Sequence, residues 1–284
     1  MSFTTLVTTE ELERRLDDPG WVVVDCRFTL TDPQAGRRAY AEGHIPGARY
    51  AHLDEDLSGP RTPTSGRHPL PDPAVLAQKL GAWGIDADKQ VVVYDDTFGA
   101  MAVRLWWLLR WLGHGKVALL DGGWPAWKRE GRPVSRELPR VRPAVFHPRP
   151  DDGMWVDAAR VEALLGDSRY LLLDARAEER YSGEREPLDP VAGHVPGAVN
   201  RPYEDNLDPG GRFLPPEALR AAYLELLDGR PPERVIHMCG SGVTACHNLL
   251  AMEIAGLAGG KLYPGSWSEW ITDPRRPTAT GEEP

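Results

Sequence analysis

Aligned with itself, the 284-residue chain repeats once. "VVVDCR" at 22–27 returns as "LLLDAR" at 171–176, and "GHIPGA" at 43–48 returns as "GHVPGA" at 193–198. Farther along, "QVVVYD" at 90–95 is answered by "RVIHMC" at 234–239, and "GGWPAW" at 122–127 by "GSWSEW" at 265–270. Four pairs in the same order at a near-constant offset define two copies of one domain, so whatever one half folds into, the other folds into as well.

The apolar runs at 22–24, 91–94, 171–173 and 235–238 are too short for helices and rich in β-branched residues, which predicts buried parallel strands. Between them lie helical stretches. These are "TEELERRL" behind Thr8 or Thr9, "PAVLAQKLGAWG", "AMAVRLWWLLRWLG", "DAARVEALLG" capped by Asp157, and "PPEALRAAYLELL". Strand and helix alternating twice over predict an α/β chain of two tandem domains, each a small parallel sheet flanked by helices on both faces. Four prolines and no periodicity over 136–153 mark a linker, which divides the chain into 1–136, a linker at 137–153, and 154–284. The tail "TDPRRPTATGEEP" is expected to fray or to lie along the surface.

A net charge of -9 argues against a nucleic-acid partner. No apolar run suits a membrane span or a signal peptide; even "VRLWWLLRWLG" is interrupted by Arg104 and Arg110. Three cysteines are too few for a disulfide scaffold and lack paired metal-ligand spacing, so reduced thiols, no metal and a cytoplasmic location are expected.

Two of those cysteines bracket "CGSGVTAC". Cys239 follows a predicted strand, at the carboxyl end where parallel sheets bind ligands. Gly240 and Gly242 permit the backbone to curl until successive N–H groups, through Val243 and Thr244, point inward at a helix start. Such a cradle stabilises an anion at its centre and makes Cys239 a poised thiolate nucleophile. Cys26 and Cys246 read as packing residues.

Two chemistries use a cysteine held this way. Phosphate-ester hydrolysis needs an arginine after five intervening residues to grip the phosphoryl oxygens, and that position is Ala245. Sulfur transfer needs only a ring of N–H groups around a small persulfide, and is the better fit.

Over nearly its whole length, through "GHIPGA"/"GHVPGA", "DGGWPAW", "RYSGE" and "CGSGVTAC", the chain resembles the tandem-domain rhodanese family of thiosulfate and mercaptopyruvate sulfurtransferases. The resemblance implies two rhodanese-like domains, the second catalytic through Cys239 and the first without its cysteine, since Asp95 stands at that position. It implies no metal or organic cofactor. The partners are a small-molecule sulfur donor and a thiol acceptor, of thioredoxin-like kind at family level. Gly240 and Ser241 resemble the mercaptopyruvate form of the loop rather than the Cys-Arg-Lys form of thiosulfate enzymes, and the Ser241 hydroxyl is suited to protonating a departing enolate. Thiosulfate as main donor, or a non-catalytic sulfur-carrier module, are the alternatives.

The resemblance also implies that Arg180 clamps the donor. A second arginine usual before the Gly-His-x-Pro-Gly turn is here Leu188, with Arg185 as a substitute. His68 in "GRHPLP", with an acidic partner at Glu55 or its neighbours Asp54 and Asp56, is expected to orient Ser241 in the manner of a triad. Asp25 and Asp174, each two before an arginine, are read as local ion pairs, and His44 and His194 as turn residues. Trp106, Trp107 and Trp111 are read as core or domain-interface residues.

Overall fold

The structure is a computed structural model and describes residues 2–282. The chain forms two compact units. The first holds the chain up to Gly59, Leu70–Asp151 and Gly210–Arg212; the second holds Pro60–Pro69, Asp152–Pro209 and the chain from Phe213 on.

In the first unit the strands are β1 (Leu6–Val7), β2 (Trp21–Asp25), β3 (Arg49–Tyr50), β4 (Gln90–Tyr94) and β5 (Val117–Leu120). They form one sheet of order β1-β5-β4-β2-β3, parallel throughout. β4 is buried along its whole length, which is why its sequence is a run of valines rather than an alternation of apolar and polar residues. The helix Pro73–Ala82 starts cleanly because Asp72 accepts the N–H groups of Ala74 and Val75 at 2.8 and 3.0 Å and proline opens its first turn. The helix Ala102–Trp111 is buried on nearly every side, Trp106, Trp107 and Trp111 included.

The second unit repeats the plan with β6 (Leu171–Asp174), β7 (Ala198–Asn200), β8 (Val235–Met238) and β9 (Lys261–Leu262), in the parallel order β7-β6-β8-β9. A single bridge from Trp155 to Leu262 extends it where β1 extends the first sheet. The two cores match residue for residue: Tyr40, Trp124 and Trp127 in one, Tyr181, Trp267 and Trp270 in the other.

The repeated motifs tie strand ends to turns. Asp25 and Asp174 are fully buried and each grips the arginine two residues on, with Nη2–Oδ2 distances of 2.6 and 2.7 Å. Those arginines also donate to the carbonyls of Gly43 and Gly193, at the mouths of the Gly-His-x-Pro-Gly turns, and lie over Trp124 and Trp267. His44 and His194 stack on Tyr40 and Tyr181. Removing one member of such a buried pair strands the other charge, at a cost of about 3–5 kcal/mol.

The units are not divided at a single point. Residues 137–151, read from sequence as linker, hold to the first unit through main-chain bonds of Ala144, Arg149 and Asp151 to Gly81, Leu112 and Trp111, each 2.9 Å. Proline there interrupts regular structure without freeing the backbone. The tail is likewise tied down: Ala279 bridges His194 and Gly281 donates to Ser182 at 2.8 Å, while residues 283–284 lie outside the described residues. Among the described residues no helix is long and apolar enough to cross a membrane, and no group of three metal-binding side chains occurs.

Candidate active site

β8 ends at Met238, Cys239 follows it, and the helix Ala245–Ile254 begins six residues after the cysteine. The turn between them is possible only with glycine at 242, where φ is +74° and a Cβ would come within 2.3 Å of the Pro264 carbonyl oxygen. Cys239 is 2% exposed. Its N–H donates to Ser266 Oγ at 3.1 Å, its carbonyl accepts from Trp267 N–H at 3.0 Å, and Gly240 accepts from Ser268 N–H at 2.9 Å. The segment after β9 thus braces the loop from below. Ser241, Val243 and Thr244 make no main-chain N–H bond to any described residue, which leaves those donors for an anion at the loop's centre.

The first unit shows what such a loop holds. Asp95 follows β4 as Cys239 follows β8, and Trp124 N–H donates to the Asp95 carbonyl just as Trp267 does to Cys239. The Asp95 carboxylate turns into its own loop and accepts N–H groups from Thr97, Gly99, Met101 and Ala102 at 2.7–2.9 Å. Burial pushes this carboxyl up from its ordinary range, and the four N–H groups pull it back. A built-in anion occupies the cradle there; in the second unit the same position carries a thiol.

His68 belongs to the second unit, and its Nδ1 lies 2.7 Å from Ser241 Oγ, both residues buried. Of the acidic partners expected for it, Glu55 is half-exposed and takes Arg37 Nη2 at 2.7 Å, and Asp56 takes Lys79 at 2.8 Å. Glu55 stands on a short helix, Leu53–Asp56, in the first unit.

Arg180 stands on the helix Glu178–Ser182. Its Nε and Nη2 hold Glu186, and Nη2 also holds Asp189 at 3.1 Å. A Cβ at Gly240 would meet Nη1 and Nη2 of Arg180 at 3.4 Å, so this guanidinium lies over the loop. Arg185 does not: its side chain is 73% exposed and its nearest anion is Glu179, 3.8 Å away. The second guanidinium over Gly240 is one that sequence reading missed. Arg67 Nη2 lies 2.7 Å from the same Cβ position, and Arg67 Nη1 donates to Asp189. The signal was adjacency, since Arg67 immediately precedes His68 in "GRHPLP". Asp189, also missed, is buried in its side chain; burial raises its carboxyl, and Arg67 is the main charge opposing that. Cys26 and Cys246 are buried, the latter with Sγ 3.5 Å from the Gly242 carbonyl.

Two parallel α/β units that each carry an anion cradle at a strand end, one of them armed with a cysteine, define a cysteine-centred transferase-like architecture. The chain belongs to the rhodanese-like family, whose Rhodanese-like domain matches residues 8–130 and 157–273. It is 55% identical to the probable 3-mercaptopyruvate sulfurtransferase of Pseudomonas aeruginosa over 99% of this chain and 100% of that protein. It is 40% identical to the putative thiosulfate sulfurtransferase SseB of Mycobacterium tuberculosis over 91% of this chain and 90% of that one. The solved structure of SseA, a 3-mercaptopyruvate sulfotransferase from Escherichia coli, superposes with a TM-score of 0.81 at 30% identity, covering 94% of this chain and all of the other.

Proposed function

We propose that this protein is a sulfurtransferase that takes sulfur from 3-mercaptopyruvate onto Cys239 and passes it to a thiol, or to cyanide in an assay. The observation that carries the choice of donor is the 2.7 Å contact between Ser241 Oγ and His68 Nδ1, two residues from the nucleophile. When the Cys239 thiolate attacks the donor sulfur, the S–S bond forms as the C–S bond breaks, and its electron pair leaves on carbon as the pyruvate enolate. That enolate needs a proton, and a hydroxyl paired with an imidazole is placed to relay the one released by the donor thiol. The products are a Cys239 persulfide, in the N–H cradle, and pyruvate. Sulfite leaving from thiosulfate needs no such proton.

In this reading Arg180 receives the donor carboxylate, while main-chain N–H groups of residues 240–244 supply the cradle. The first unit is non-catalytic because Asp95 fills the place of the thiol. A thioredoxin-like acceptor and a cytoplasmic setting complete this reading; the setting accords with three buried cysteines that form no disulfide. The relatives named for thiosulfate keep that donor as the second reading, supported by the two guanidinium groups over Gly240.

The test is steady-state sulfur transfer to cyanide with both donors side by side, with Cys239→Ser as control. Transfer favouring mercaptopyruvate and abolished in Cys239→Ser is expected. An active Cys239→Ser, or a chain that uses neither donor, would overturn the reading.

A further inference from the structure

We propose that the second unit carries a binding site, at the end of its sheet away from Cys239, for a small organic anion: a carboxylate or phosphate joined to an aromatic or similarly flat apolar body. The inference is independent of the sulfurtransferase reading.

Strand pairing sets the two halves of the repeat in step. Val92 pairs with Ala118 as Ile236 pairs with Lys261, and Leu6 lies beside Leu119 as Trp155 lies beside Leu262. Trp21, Gln90 and Ala118 of the first unit therefore correspond to Tyr170, Arg234 and Lys261 of the second. In the first unit this corner is filled by its own chain. Gln90 Oε1 accepts the Phe3 N–H at 2.8 Å, Gln90 Nε2 donates to the Phe3 carbonyl at 2.9 Å, and the Phe3 ring meets Trp21 edge-on with centroids 5.7 Å apart.

The second unit has no such plug. The residue in step with Phe3 is Asp152, exposed on a single turn of helix, Asp152–Met154. A cavity of about 290 Å³ is left beside Tyr170, with Val156, Leu164 and Ile236 as its apolar wall. A neighbouring cavity of about 220 Å³ shares Leu164, Tyr170 and Ile236 with it and continues over Leu165 and Leu172, so an apolar body has room beyond the first chamber.

The polar wall is cationic. Arg160 and Arg234 both donate to the Tyr170 hydroxyl and lie over its ring, 5.6 and 4.7 Å from the centroid. Lys261 joins them, and the one acid of the wall, Glu233, lies against Gly259. Among the described residues none of these three cations is paired with a carboxylate. In a chain of net charge -9, three such cations around one cavity are positive charge with no internal use. Two guanidinium groups and an ammonium converging on one space bind a carboxylate or phosphate, and the apolar wall beside them takes the rest of the molecule.

This site is separate from the one built on Cys239. Arg234 immediately precedes β8 and Cys239 immediately follows it, which sets them about 16 Å apart at about 3.3 Å per residue. Tyr170 likewise precedes β6. Binding here can therefore be read without turnover.

The experiment is calorimetric titration of the full-length protein with 3-phenylpropionate and with phenyl phosphate, beside phenylpropanol and inorganic phosphate. At least one organic anion is expected to bind about tenfold more tightly than either control, and the tighter of the two names the head group. Arg234→Gln, which installs the first unit's residue, and Lys261→Gln should each weaken that binding about fivefold or more. Leu164→Trp, which fills the cavity, should abolish it, while Arg180→Met, beside Cys239, should leave it unchanged. Circular dichroism identifies the variants that fold, and the two cation variants are read separately. Failure of both organic anions to bind, equal binding of inorganic phosphate, unchanged affinity in a folded Arg234→Gln or Lys261→Gln, or loss of binding in Arg180→Met would overturn the proposal.

Discussion

Two glycines in one loop respond to the same substitution for opposite reasons. At Gly242, alanine must hold φ near +74° and place its Cβ 2.3 Å from the oxygen and 2.8 Å from the Cα of Pro264. The left-handed backbone costs about 1 kcal/mol for a residue with a Cβ. Overpacking against main chain that cannot swing aside adds about 1–3 kcal/mol. Less alanine's smaller entropy loss, Gly242→Ala is expected to lower unfolding free energy by about 2–3 kcal/mol. Because Ser266, Trp267 and Ser268, just beyond Pro264, brace Cys239 and Gly240, relief of the clash displaces the nucleophile, and sulfur transfer collapses with stability. At Gly240 φ is not positive, and the atom a Cβ meets at 2.7 Å is the far end of the Arg67 side chain. Gly240→Ala is therefore expected to stay within about 0.5 kcal/mol of wild type while raising the donor KM, since the guanidinium must move. Urea unfolding followed by circular dichroism, paired with sulfur-transfer kinetics, separates the two. A Gly242→Ala protein as stable and active as wild type, or a Gly240→Ala protein that loses as much stability, would refute this account of the loop.

In the first unit, Asp95→Ala leaves four N–H groups, two buried and two part-buried, without their carboxylate and should cost about 3 kcal/mol in urea unfolding, with Cys239 chemistry retained whenever the chain is folded. His237, on β8, is fully buried with neither ring nitrogen hydrogen-bonded, and burial pushes its pKa down to about 3. The unfolded chain binds this proton below about pH 6.5 and the folded one does not, so stability drops as pH falls from about 6.5 toward 3, by up to about 1.4 kcal/mol per unit. His237→Leu should flatten that limb relative to wild type in a series of urea titrations, and parallel curves would count against it.

Most of the catalytic loop was legible because it is local. A β-branched run, a cysteine, two glycines and a helix start lie within a dozen residues, and Gly242 performs the positive-φ turn that the pattern called for. The duplicated architecture was legible for a related reason, since a repeat reports itself whatever its fold. Asp25 and Asp174 were also readable as ion pairs because their arginines are two residues away.

What sequence reading misjudged depended on how the chain returns to itself. Arg185, three residues before the expected position, points to solvent. Proline content marked a linker at 137–153, and only the fold showed that its backbone is bonded to the first unit through Ala144, Arg149 and Asp151.

The sequence by itself determined the two-fold repeat, the parallel α/β plan and the placing of Cys239 before a glycine turn at a strand end, because strand propensity and glycine dihedrals act over a few residues. Only the tertiary structure decided that residues 60–69 join the second unit and that Arg67, Arg180 and Asp189 meet over Gly240. Those partners are far apart along the chain, and no local rule links them. Their meeting is set by the main-chain bond that seats Arg67 on Ser268, within the second unit.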